Sequence, residues 1–249
     1  MTHGPDAMLR QPLLAHLIEL RTRLIRCLAA VAIGFCVCYY FAADIYRILV
    51  LPLAHAMHGE PRRLIYTGLA EAFVTYIKLA LWSSCLLTFP AIAVQIWRFV
   101  APGLFKHERR AFLPFLLATP VLFALGAAMA YFLVMPLAWT FFLSFETGAA
   151  ATGLPIQLEA RVSEYLSMAM TLIFAFGAAF ELPVLLVLLV RVGILSIEQL
   201  VSFRRFAIVL IFVVAAIVTP PDVMSQLLLA LPLWALYELS IVAARWMKR

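Results

Sequence analysis

YLSMAMTLIFAFGAAFELPVLLVLLV, residues 165–190, contains one charged side chain, Glu181, with Pro183 two positions behind it. A bilayer's hydrocarbon core is about 30 Å thick and takes roughly 20 apolar residues to cross as a helix. The stretch exceeds that, so Glu181 falls at membrane depth. A carboxylate there costs about 2.5–3.5 kcal/mol on insertion scales, and it persists only when paired, protonated or turned toward a polar cavity. Glu181 is therefore a candidate functional residue.

The remainder of the chain has the same character. It is 65% hydrophobic and 13% charged, with a mean hydropathy of +1.03. A soluble core of 249 residues could not hide that much apolar surface, so lipid is the solvent. The cysteines Cys27, Cys36, Cys38 and Cys85 all lie in apolar runs. They read as packing residues, and neither a disulfide framework nor a metal site is expected.

Six spans are expected, at 24–43, 72–97, 111–137, 164–190, 206–219 and 223–244, forming one all-α integral-membrane domain over residues 1–249. The fifth is short: thirteen residues between Arg205 and Thr219 reach only about 20 Å at 1.5 Å each. Gln226 and Glu238 bracket eleven uncharged residues in the sixth, so a short final pair and a locally thinned bilayer are expected. Fourteen of the nineteen Lys and Arg fall on one side of these spans, including Arg10, Arg26, Arg98, Arg109, Arg110, Arg191, Arg205 and Arg245. The positive-inside rule then places both termini in the cytoplasm, as an even number of spans also requires. The first apolar run is too long for a cleaved signal peptide. The net charge of +6 serves orientation, and nucleic acid is not an expected partner.

Pro90, Pro114, Pro120, Pro183 and Pro232 fall in or near spans, with Pro136 close to a span end. Each interior proline removes a helix hydrogen bond and bends its helix. A cupped, kinked arrangement is expected, with short helices and turns over residues 44–71, where Pro52, Gly59 and Pro61 interrupt the chain, and over 139–163. There is no P-loop, GxGxxG, HExxH or GxSxG sequence, and all five histidines lie outside the spans. No enzymatic activity and no cofactor are expected.

Two segments on the basic side stand out. His16-Leu17-Ile18-Glu19-Leu20-Arg21-Thr22-Arg23 precedes the first span, with Leu13, Leu17 and Leu20 at helical spacing. Glu19 and Arg23 stand at i,i+4, close enough to pair. Residues 97–110, WRFVAPGLFKHERR, combine a turn, aromatics and a lone carboxylate, Glu108, among basic residues.

These segments occur in order with Glu71-Ala72-Phe73 and Lys78, Ala175-Phe176-Gly177, Phe180-Glu181-Leu182-Pro183, and Thr219-Pro220-Pro221-Asp222 followed by Ser225-Gln226. Together they resemble the TatC family, the signal-recognising subunits of twin-arginine protein translocases, over nearly the whole chain. The chain departs from the family pattern at Leu69-Ala70, where a proline is often found, and at Met224, often aromatic.

The resemblance implies a receptor for folded cargo whose signal peptides carry two adjacent arginines. Glu19 and Glu108 would accept the arginine pair, while Phe99, Arg21, Arg23 and Lys106 shape the surface around them. A guanidinium's planar fork suits bidentate capture by a carboxylate, and Lys cannot reproduce it. Glu181 and Gln226 would face small single-span partners similar to TatA and TatB, with Pro52, Pro183, Pro220, Pro221 and Asp222 in structural roles. Self-association into a multimeric receptor in a bacterial-type inner membrane, and transport driven by the proton gradient, are further implications. The alternative is a proton-coupled transporter or channel titrating Glu181, although no internal repeat of the kind such transporters carry is visible.

Overall fold

The computed structural model describes residues 5–57, 63–104, 109–146, 157–191, 193–219 and 223–247. These residues are helical apart from connections. The helices are α1 Pro5–Tyr40, α2 Ala42–Ala56, α3 Glu71–Leu104 and α4 Arg109–Met129. A π-helical turn, Ala130–Val134, leads into α5 Met135–Leu143. Then follow α6 Val162–Ala179, α7 Leu182–Arg191, α8 Ile197–Ser202, α9 Arg204–Val218 and α10 Val223–Met247. One isolated bridge, Ile65 with Arg161, is the nearest approach to a sheet among the described residues.

Among the described residues, five stretches are long and apolar enough to cross a membrane: Leu17–Tyr40, Glu71–Phe99, Phe115–Leu143, Val162–Arg191 and Gln226–Trp246. The expected fifth span is α9, whose 15 residues extend about 22 Å and fall short of a 30 Å core. The expectation that the last span is also short does not hold. Helix α10 has 25 residues, about 37 Å of helix. The polar residues taken as its limits are accommodated within it: the Gln226 amide donates to the Phe212 carbonyl at 3.2 Å, and Arg204 donates to Glu238 at 2.7 Å. With partners on α9, neither residue has to end the helix.

Prolines shape several elements for reasons legible in the backbone. Pro52 lies inside α2, so the Ile48 carbonyl has no helical N–H to accept. The Tyr131 hydroxyl donates to it at 2.7 Å, and one residue on, Tyr165 donates to the Leu49 carbonyl at 2.6 Å. Tyr131 projects from the π-helical turn that immediately precedes Met135-Pro136. The wider turn lets the chain pass Pro136 without a clash against the carbonyl four residues back. Helix α7 ends in a Schellman pair, Ile194 N–H to Leu189 O and Gly193 N–H to Val190 O, with Gly193 at φ 80°, the left-handed geometry that a helix C-terminus requires.

Packing follows small residues. Helices α1 and α3 lie together where Gly34 faces Ser84 and Thr88; a Cβ at Gly34 would stand 2.9 Å from Thr88 Cγ2. Beyond the end of α1, Tyr46 stacks on Tyr76 near the start of α3, so the two helices run antiparallel. Helices α4 and α6 cross at Gly126, where a Cβ would meet the Phe176 carbonyl oxygen at 2.3 Å, and at Gly177, whose place is bounded by the Phe123 ring. One large apolar core surrounds α6, with Leu166, Ala169, Leu172 and Phe176 among its fully buried members. A smaller one gathers Trp97, Phe115, Val184, Val187, Leu188 and Ala244 at the other end of the bundle.

Candidate functional site

The expected fourth span is divided at its carboxylate. Pro183 has no N–H to give the Ala179 carbonyl, and the chain turns at Phe180 and Glu181 between α6 and α7. Glu181 N–H tightens onto Ala178 O at 3.1 Å before Leu185 N–H resumes the helical ladder on Glu181 O at 2.9 Å. Glu181 thus sits in a break, about 15 Å along the axis from Arg191, inside an otherwise apolar segment.

Around that carboxyl the polar surroundings are sparse. The Thr119 side chain of α4 lies beside it. Oxygen Oε1 is buried with no hydrogen-bond partner. Thr119 is itself buried, and its Oγ accepts the Trp97 indole N–H at 2.9 Å. Trp97, in the last turns of α3, shares the smaller core with α7 residues Val184 and Val187. Three helices therefore converge on Glu181, and neither Trp97 nor Thr119 was picked out for this contact from the sequence. The available signal was slight: a lone hydroxyl beside Pro120 in an apolar run.

The antiparallel packing of α1 on α3 sets where the recognition candidates fall. Glu19 lies fifteen positions before Gly34, and Phe99 eleven to fifteen positions after Thr88 and Ser84. At 1.5 Å per residue both lie about 16–23 Å from the contact, toward the same end of the bundle. There Arg23 donates through Nε to Glu19 Oε1 at 3.0 Å, and its Nη2 reaches the same oxygen. This is the i,i+4 pair expected from the sequence, with the Arg23 side chain the more buried of the two. Arg21 is exposed and Phe99 half-buried.

The turn expected after Trp97 is not where it was placed. Helix α3 continues through Pro102 and Gly103 to Leu104, since a proline in a last turn loses only one ladder bond and its φ suits a helix. Lys106 and Glu108 lie outside the described residues, as do Pro220, Pro221 and Asp222. Gln226 is committed to Phe212 across the α9–α10 pair, and Thr219 returns its hydroxyl to the Ala215 carbonyl at 2.9 Å.

At the opposite end a second carboxylate was recognised in the sequence only as a landmark. Glu71, which opens α3, accepts from the Ser163 hydroxyl at 2.5 Å and from the Thr67 and Gly68 amides at 2.8 and 3.1 Å. Ile65 N–H donates to Ala160 O and Val162 N–H to Ile65 O alongside. Two connecting segments far apart in sequence are thus joined over the helix ends.

A chain of this architecture has close relatives. The family described as Sec-independent protein translocase protein (TatC) matches residues 15–232. The Sec-independent protein translocase protein TatC of Magnetococcus marinus is 45% identical over 244 residues, covering 98% of this chain and 88% of the relative. That of Escherichia coli strain K12 is 43% identical over 236 residues, covering 95% and 89%. A crystal structure of the twin-arginine translocase receptor TatC superposes with a TM-score of 0.81 at 40% identity, covering 94% of this chain and all of that one. The chain belongs to the TatC family of Sec-independent protein translocase proteins.

Proposed function

We propose that this protein is the receptor subunit of a twin-arginine export system, a single membrane-embedded unit over residues 1–249 that performs no chemistry on its cargo. It crosses a bacterial inner membrane six times, α9 supplying the short fifth crossing, with both termini in the cytoplasm. The side carrying most Lys and Arg supports that orientation. Glu19 and Glu108 capture the two guanidinium groups of a signal peptide. Phe99, Arg21, Arg23 and Lys106 bound the surface, and Arg23 holds Glu19 until an incoming arginine replaces it.

The observation that carries this reading is the register of α1 against α3, which brings Glu19 and the Trp97–Phe99 stretch to one end of the bundle. Glu181, with its uncompensated oxygen, serves a later step with small single-span partners of the TatA and TatB kind. Gln226 and the short α9 form the neighbouring edge. Assembly is multimeric, and the proton gradient drives transport.

Photo-cross-linking from Glu19 and Glu108 positions in native membranes tests the recognition step. A twin-arginine peptide should cross-link at both, and a twin-lysine peptide at neither. Equal capture of the lysine peptide would overturn the assignment. A proton-coupled transporter would need neither peptide nor partner.

A further inference from the structure

Between α4, α7 and α10 lies a cleft of about 230 Å³ that joins hydrocarbon walls to a single charge. Phe115, Ala118, Val187 and Ala243 wall it, while Pro183 and Arg191 bound it along α7. Eight residues separate these two, about 12 Å of helix. Among the described residues that line it, Arg191 alone is polar. Its guanidinium carbon stands 5.9 Å from the centroid of the Phe115 ring, within cation–π range. Phe115 is buried, so the ring steadies the charge at one end of the cleft.

The cleft opens toward lipid. Ala118 and Ala243 are half-buried, and their neighbours Leu117 and Val242 are exposed apolar side chains. Trp246, one turn beyond Ala243 on α10, is 82% exposed, and an exposed Trp at the end of a span marks the headgroup level. Arg191 closes its own span, where a long basic side chain rests its stem on apolar surface and holds its head at the interface. The charged end of the cleft therefore meets headgroups and the Pro183 end meets acyl chains.

We propose that this cleft binds an anionic phospholipid from the leaflet on the basic side, with the phosphate on Arg191 and one acyl chain lying along α7 toward Pro183. Charge and size select this occupant. A guanidinium's five donors match phosphate oxygens and can do so beside other contacts. A twin-arginine segment carries the same sign as Arg191 and is repelled. An α-helix measures about 10–12 Å across with its side chains, too thick for a cleft of this volume, whereas a flexible hydrocarbon chain fits.

Native mass spectrometry of the delipidated full-length chain, titrated with dioleoyl phosphatidylglycerol or dioleoyl phosphatidylcholine, tests the site. The phosphatidylglycerol adduct should exceed the phosphatidylcholine adduct about tenfold, and Arg191→Gln should remove about the same factor. Arg191→Lys keeps the charge without the fork and should lose only about two- to threefold. Ala243→Leu, which fills the slot and leaves Arg191 in place, should weaken the adduct about fivefold. Equal retention of the two lipids, or full retention by Arg191→Gln, overturns the headgroup site. An adduct unchanged in Ala243→Leu overturns the acyl slot. Photo-cross-linking from Val187 in native membranes should capture lipid, and capture of a twin-arginine peptide or a single-span partner there would overturn the lipid assignment.

Discussion

Glu71 and Glu181 are each a carboxylate beside the end of a long apolar helix, yet their surroundings are opposite. Glu71 takes a hydroxyl and two backbone amides, donors that a helix start and a neighbouring segment offer without strain. Glu181 has one hydroxyl beside it and a buried oxygen with nothing. A saturated carboxylate at the rim is a structural clasp. A half-satisfied one at depth carries a standing cost that folding does not require, and such costs concentrate where a protein acts.

Substitutions can break or sharpen this contrast. The largest effect is expected for Glu181→Ala, which should cut partner-dependent transport by at least about tenfold while peptide affinity changes by less than about twofold. A parallel loss of both, measured in the same membranes, would make Glu181 a structural residue like Glu71. Next is Gly126→Ala. Its Cβ would meet the Phe176 carbonyl oxygen, so α4 and α6 must separate at about 1–3 kcal/mol. That movement draws Thr119 away from Glu181, and unfolding by denaturant in detergent, read beside transport, should show both losses together.

Glu71→Gln should act on one region only. Amides Thr67 and Gly68 lose hydrogen-exchange protection, the bridge between residues 65 and 161 loosens, and peptide binding is unchanged. Transport collapsing without loss of protection would contradict the clasp. The smallest effect belongs to Arg204 and Glu238, a half-exposed pair. A double-mutant cycle to Gln at Glu238 and Met at Arg204 should return a coupling of about 1 kcal/mol or less.

Much of this was legible without coordinates because lipid imposes strict rules. Long apolar runs become helices, as α1, α3, α4 and α10 did, and a lone carboxylate in such a run must have a reason. The i,i+4 pairing of Glu19 with Arg23 followed from helix geometry alone. The last helix was misjudged because polar residues inside a span look like ends until their partners are known; Phe212 and Arg204 are those partners, and both belong to another helix. Pro52 was read as a loop breaker for the same reason: the hydroxyl that satisfies its freed carbonyl comes from Tyr131, far along the chain.

By itself the chain's order of residues determined the apolar solvent, the long runs that became helices and the lone carboxylate within one of them. All of these depend on composition over one helix length, where backbone bonding is local and the bilayer supplies the ruler. Tertiary structure alone decided which helices meet. The approach of α4 to α6 at Gly126, the register of α1 on α3 at Gly34, and the convergence of Trp97, Thr119 and Glu181 depend on side chains fitting across helices. Contacts of that kind have no period along the chain, so no pattern in the sequence announces them.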